Sequence, residues 1–290
     1  MKKKIFILLV LCCIIVTSCS SEHKGNNDNL NDLEKSRSNF QTKLIKKGPA
    51  PQEYTNDPPP KGVSEINYNS GNLTLKAWLS KVPGDSKQHP AVVYVHGGFA
   101  FGIDDWIDAK KFQDAGYIVL TPMLRGENGN SGNFEFFFGE VNDVISAGEF
   151  LLTLKEVDPN RVFLAGHSSG GTISLLASMM PSPYKAISSY GAAPDQEEFL
   201  KSGWDKVAPF NVKDTNEVTL RSPNKFTESI QKKLFVYVGN KDNDHLKESY
   251  SFVQIAKENG KNVDIILMEG NHFTSLDKSI LDSIDKFNKM

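Results

Sequence analysis

Cysteine is missing from the body of this 290-residue chain: its three cysteines, Cys12, Cys13 and Cys19, all fall within the first nineteen positions. No disulfide is available to staple the folded part, so stability must come from a buried core. Clustered basic charge is missing as well. With 33 Lys and Arg against 35 Asp and Glu the formal charge is −2, and no basic cluster lies in the body of the chain, so nucleic acid is not an expected partner. No internal repeat is visible, and the apolar run Ile5 to Val16 is too short to span a bilayer comfortably as a permanent helix. What the chain does have is 39% hydrophobic residues, enough for the core of one large α/β domain plus extras.

The first eighteen residues read as a cleavable signal peptide, with Lys2 to Lys4 as its basic end and Ile5 to Val16 as its apolar centre. Val16-Thr17-Ser18-Cys19 resembles the lipobox of bacterial lipoproteins, which makes Cys19 the lipidated mature N-terminus. A diacylated or triacylated Cys anchors stably to a membrane, so the expected location is the bacterial cell envelope, outside the cytoplasm. Residues 19–61 are rich in Asn, Asp, Lys and Pro with little apolar periodicity, and read as a flexible tether. Leu30, Leu33 and Phe40 offer at most a short amphipathic helix within it.

Residues 62–290 read as one catalytic domain built around Arg161 to Gly171, where an apolar strand meets Gly166-His167-Ser168-Ser169-Gly170 and a helical pattern starts at once. A Gly-x-Ser-x-Gly in that setting is a nucleophile elbow, which lifts one side chain, here Ser168, above a sheet. The turn brings backbones so close that residues two before and two after the serine must be small, as Gly166 and Gly170 are.

Before the elbow, a hairpin is expected around Ser70-Gly71-Asn72, then a buried strand Ala91 to Val95 opening into His96-Gly97-Gly98. A helix over 104–115 with Asp104 as cap, a strand over 117–122, a Gly-rich loop and a helix over 140–156 follow. After it come a strand over 185–190, a weakly patterned insertion at 191–231 that reads as a small cap, a strand over 233–238, a helix over 245–259, a strand over 263–268 and a last amphipathic helix. Regular alternation of strand and helix predicts an α/β fold with a mostly parallel, doubly wound sheet and an N-terminal β-hairpin.

A serine hydroxyl attacks only when a base removes its proton and a carboxylate orients that base. Two histidines follow Ser168, His245 and His272; His272, in a Gly-containing loop just past a strand, is the stronger candidate, whereas His245 begins a helix. For the acid, Asp242 and Asp244 both stand after the strand ending at Val238.

Five segments, from Leu75-Lys76-Ala77-Trp78-Leu79 through His96-Gly97-Gly98, Gly116 to Arg125-Gly126 and the elbow to Arg221-Ser222-Pro223 and Val238 to Asp242, occur in an order that resembles the catalytic domain of the prolyl oligopeptidase family of α/β-hydrolases. The resemblance implies the α/β-hydrolase fold, selects Asp242 as the acid and His272 as the base, and puts the oxyanion hole at the backbone N–H groups of Gly98 and Ser169. It implies a serine hydrolase forming an acyl-enzyme on short peptides, with no metal or other cofactor required. His96, Arg125 and Asp143 read as support for the fold. Two departures stand out: Phe99 replaces the family's usual Pro after His-Gly-Gly, and Asn243-Asp244-His245 replaces its Val-Pro. No β-propeller is expected upstream, and with Phe99 this leaves a carboxylic ester as the other substrate class. A surface lipoprotein that keeps the scaffold without turnover is the alternative of a different kind.

Overall fold

The computed structural model describes residues 32–290, so the expected signal peptide, Cys19 and the first part of the tether lie outside the described residues. Eight strands form one sheet: β1 (Val63–Ser70), β2 (Leu73–Ser80), β3 (His89–Val95), β4 (Ile118–Pro122), β5 (Val157–His167), β6 (Ala186–Tyr190), β7 (Lys233–Gly239) and β8 (Val263–Met268), in the order β1-β2-β4-β3-β5-β6-β7-β8. The β1–β2 hairpin and the β2–β4 pair are antiparallel, and every other pairing is parallel. This is the α/β-hydrolase fold, with its sheet mostly parallel as expected.

Helices cover both faces because the central strands are apolar on both. In β3, Ala91, Val93 and Val95 enter one core layer while Val92 and Tyr94 enter the other. The first layer is closed by α3 (Gly139–Leu151), α4 (Ser169–Ala177) and α7 (Leu246–Glu258), the second by α2 (Ile103–Asp114) and α8 (Leu276–Asn288). Two element ends differ from expectation. Helix α2 is capped at Gly102 rather than Asp104, and α3 ends at Leu151 because the chain leaves it through tight turns into β5. Between β6 and β7 the chain forms α5 (Gln196–Lys201), α6 (Thr215–Thr219) and short 3-10 turns.

The expected flexible tether is corrected over its described part. Residues 32–61 run along the body of the molecule, beginning with the short helix α1 (Leu33–Ser38), capped by the Asp32 side chain. Leu33 is fully buried, and Arg37 donates to the carbonyls of Leu220, Phe137 and Phe138 at 2.7–3.1 Å. Further on, Leu44 bridges to Phe210, and the Ala50 N–H donates to Gly126 O at 2.9 Å. A few buried anchors and satisfied backbone groups hold a segment whose composition is too polar to announce packing.

Candidate active site

Parallel strands end on the same edge of a sheet, and here each of five strands delivers one part of a site as it ends. β3 runs into His96-Gly97-Gly98, β5 into Ser168, β6 into Gly191, β7 into the loop of Asp242, and β8 into the loop of His272. Gly97, Gly98, Ser168, Ser169 and His272 line a cleft of about 1040 Å³ together with His167, His245 and Gln52.

Ser168 has φ 54° and ψ −114°, a left-handed conformation that a non-glycine residue adopts only under constraint. The constraint is packing. A Cβ on Gly166 would meet Gly170 O at 2.3 Å, and one on Gly170 would meet Val95 O at 2.3 Å, so strand and helix approach more closely than any side chain permits. The Ser168 N–H donates to Tyr190 O at 2.8 Å, fixing the turn across the sheet.

His272 Nδ1 lies 2.9 Å from Asp242 Oδ2, and His245 Nδ1 lies 2.9 Å from Asp242 Oδ1. Burial by itself would push the Asp242 carboxyl up, but the hydrogen bonds and charges of the two imidazoles outweigh it and hold it well below the usual carboxylate range. An ionised carboxylate only accepts, so both rings donate to it from Nδ1. Ring contacts run from His167 through His272 to His245, with centroids 4.8 Å and 4.7 Å apart. His167, pushed down to about 4 by burial and then by the neighbouring His272, stays neutral and donates to His272 O at 3.2 Å.

The Gly98 N–H belongs to the Gly97–Gly98 peptide, whose carbonyl accepts from His96 Nδ1 at 2.9 Å. In a trans peptide N–H and C=O point to opposite sides, so this bond turns the Gly98 N–H away from His96. His96 Nε2 is paired with Glu127 at 2.9 Å, both groups buried. On the following peptide, Gly98 O accepts from Ser169 Oγ at 2.6 Å and the Phe99 N–H donates to Gln52 Oε1 at 2.8 Å. Ser169 opens α4, where the backbone N–H has no acceptor within the helix. Arg125 and Asp143, bonded at 2.8 Å, tie the loop after β4 to Ser70 of the hairpin and do not line the cleft.

Phe99, Phe137, Phe199 and Trp204 give the cleft an aromatic wall, with Phe199 stacked on Trp204 at 5.2 Å. Carboxylates of α2, α5 and α7 rim it, and among the described residues no Lys or Arg lines it. Asp242, His245 and His272 are the group that brings three metal-ligating atoms within 4.8 Å of one another among the described residues. Both Nδ1 atoms already donate to the carboxylate, so a cation there would have to displace two protons.

Sequence reading overlooked three contributors. Gly191, with φ 55°, has no side chain where a Cβ would stand 2.9 Å from His272 Nδ1; its one signal is that it directly follows a strand. Gln52 comes from the stretch read as tether, and His245, weighed as the weaker candidate base and as a departure from the family pattern, was not read as a second imidazole on Asp242.

The prolyl oligopeptidase family profile matches residues 106–287. The chain belongs to this family. The uncharacterized peptidase YtmA of Bacillus subtilis (strain 168) is 26% identical over 209 residues, 69% of this chain and 81% of that protein. Acylaminoacyl peptidase of Pyrococcus horikoshii superposes with a TM-score of 0.63 at 21% identity, covering 78% of this chain and 40% of that one. This family member thus spans about two fifths of the length of that enzyme. An esterase of Pyrococcus furiosus has a TM-score of 0.64 at 15% identity, covering 86% of this chain and 96% of that one. Both structural likenesses concern the fold, while the family match supports a hydrolase of the serine-peptidase kind.

Proposed function

We propose that the chain is a serine hydrolase in which Ser168 is the nucleophile, His272 the base and Asp242 the group that orients it. The observation that carries this reading is the 2.9 Å hydrogen bond from His272 Nδ1 to Asp242, at a cleft that Ser168 also lines in its constrained conformation. His272 Nε2 takes the Ser168 proton as Oγ attacks the substrate carbonyl, and the buried carboxylate stabilises the resulting imidazolium. The negative oxygen is received by the N–H groups of Gly98 and Ser169, each worth on the order of 3 kcal/mol of barrier. Collapse expels an amine or alcohol that takes the proton from His272, and water then releases the acyl group by the same steps in reverse.

Short peptides are the substrate class the family favours, with carboxylic esters as the second class. The aromatic wall suits an apolar acyl side chain, and the acidic rim disfavours anionic substrates. We propose in addition that lipid on Cys19 anchors the enzyme outside the cytoplasm; Cys19→Ser is expected to release it from the membrane fraction.

A fluorophosphonate probe tests the nucleophile. Wild type is expected to label, Ser168→Ala to lose labelling completely, and turnover to fall on the order of a millionfold. Equal labelling of the two would contradict the assignment of Ser168, and unchanged hydrolysis of activated esters in His272→Ala and Asp242→Ala would favour a non-catalytic surface lipoprotein on this scaffold. Parallel assays on short peptide amides and acyl esters separate the two substrate classes.

A further inference from the structure

Asp242 is gripped by two imidazoles on different elements. His272 sits in the loop after β8 and donates to Oδ2, while His245, at the N-cap of α7, donates to Oδ1, each at 2.9 Å. The His245 ring also stacks on His272, with centroids 4.7 Å apart and planes at 27°. The terminal torsion of an aspartate is soft and nearly two-fold, so a carboxylate bonded on one side alone can swing and exchange its oxygens. A second donor on the other oxygen, anchored to a helix, removes that freedom. The stacked face does the same for the plane of His272.

We propose that His245 is a positioning residue for the His272–Asp242 pair, holding the carboxylate in the rotamer that aims Oδ2 at His272 and keeping the imidazole in register with Ser168. The inference rests on the Ser168–His272–Asp242 reading above. His245 touches neither nucleophile nor substrate carbonyl in this role. Its effect therefore belongs in the rate of acyl transfer and not in substrate affinity.

Three substitutions divide the role into its parts. His245→Asn keeps an N–H near the Nδ1 position and loses the ring, His245→Phe keeps the ring and loses the donor, and His245→Ala loses both. With p-nitrophenyl acetate as substrate and fluorophosphonate labelling rate as a second readout, kcat is expected to fall about 10- to 100-fold in His245→Ala and His245→Phe. KM should stay within about threefold, and His245→Asn should recover most of the rate, since the donor fixes the carboxylate. Circular dichroism melts of all three accompany the kinetics. A wild-type kcat in His245→Ala, an Asn variant as slow as Ala, or a loss that appears in KM or follows the melting temperature would overturn the proposal. Ser168→Ala in the same series keeps the two readings apart. If it is inactive while His245→Ala is unimpaired, only the role of His245 falls; if it turns over normally, the triad reading falls and takes this one with it.

Discussion

At the scale of single residues, the His96–Glu127 pair carries the clearest electrostatic consequence. Burial works against a charged imidazole, yet the charge and hydrogen bond of Glu127 raise His96 to about 9. In the protonated ring both nitrogens donate, one to Glu127 and one to Gly97 O, so the charge holds the peptide that carries the Gly98 N–H. Because the folded value lies above the ordinary histidine value of about 6.5, the pair stabilises fully below that pH. Its contribution is lost as pH rises through about 9. Melting temperature is therefore expected to drop between these two values in wild type, and the drop should be smaller in His96→Asn. Parallel declines in both proteins would remove the pair as the cause.

At the scale of elements, the site is an edge where strands end, and the loops there leave no spare room. Gly191 shows how little. A Cβ at this position would stand 2.9 Å from both Nδ1 and Cε1 of His272, and its φ of 55° is unfavourable for any other residue. Gly191→Ala is expected to lower kcat about 100-fold by displacing the imidazole. The strain of a left-handed alanine costs only about 1–2 kcal/mol of stability. A wild-type kcat measured on a folded Gly191→Ala protein would show that the ring tolerates the displacement. This also explains what could be read in advance. The elbow declares itself because its steric demands fall on residues two apart in the chain, Gly166, Ser168 and Gly170, and because β5 and α4 are patterned around them. The demand on Gly191 comes from His272, 81 positions later, and no local pattern records it. His245 stands only three positions after Asp242, but its stacking on His272 joins two separate loops.

At the scale of the whole molecule, the segment 32–61 changes what the chain upstream of the hairpin does. Read from composition it is spacer, with few apolar side chains and many polar ones. In the fold its polar groups are the anchors. Arg37 is buried beside Arg221, and burial together with that neighbouring charge lowers it to about 9. It remains protonated at neutral pH and bonds three carbonyls from two separate loops. Gln52, later in the same segment, reaches the loop that carries the candidate oxyanion donor. A spacer makes no contacts with the folded domain, whereas this segment is bonded into it. Deleting residues 32–61 is expected to lower the melting temperature by roughly 10 °C, since a few kcal/mol shifts a domain of this size by about 2–4 °C per kcal/mol. It should also slow turnover, because the Phe99 N–H loses its acceptor. Arg37→Ala, which leaves Gln52 in place, should reproduce the loss of stability with little loss of kcat. If the deletion melts and turns over like the full chain, then the contacts of Leu33, Arg37 and Gln52 are incidental and the spacer reading returns.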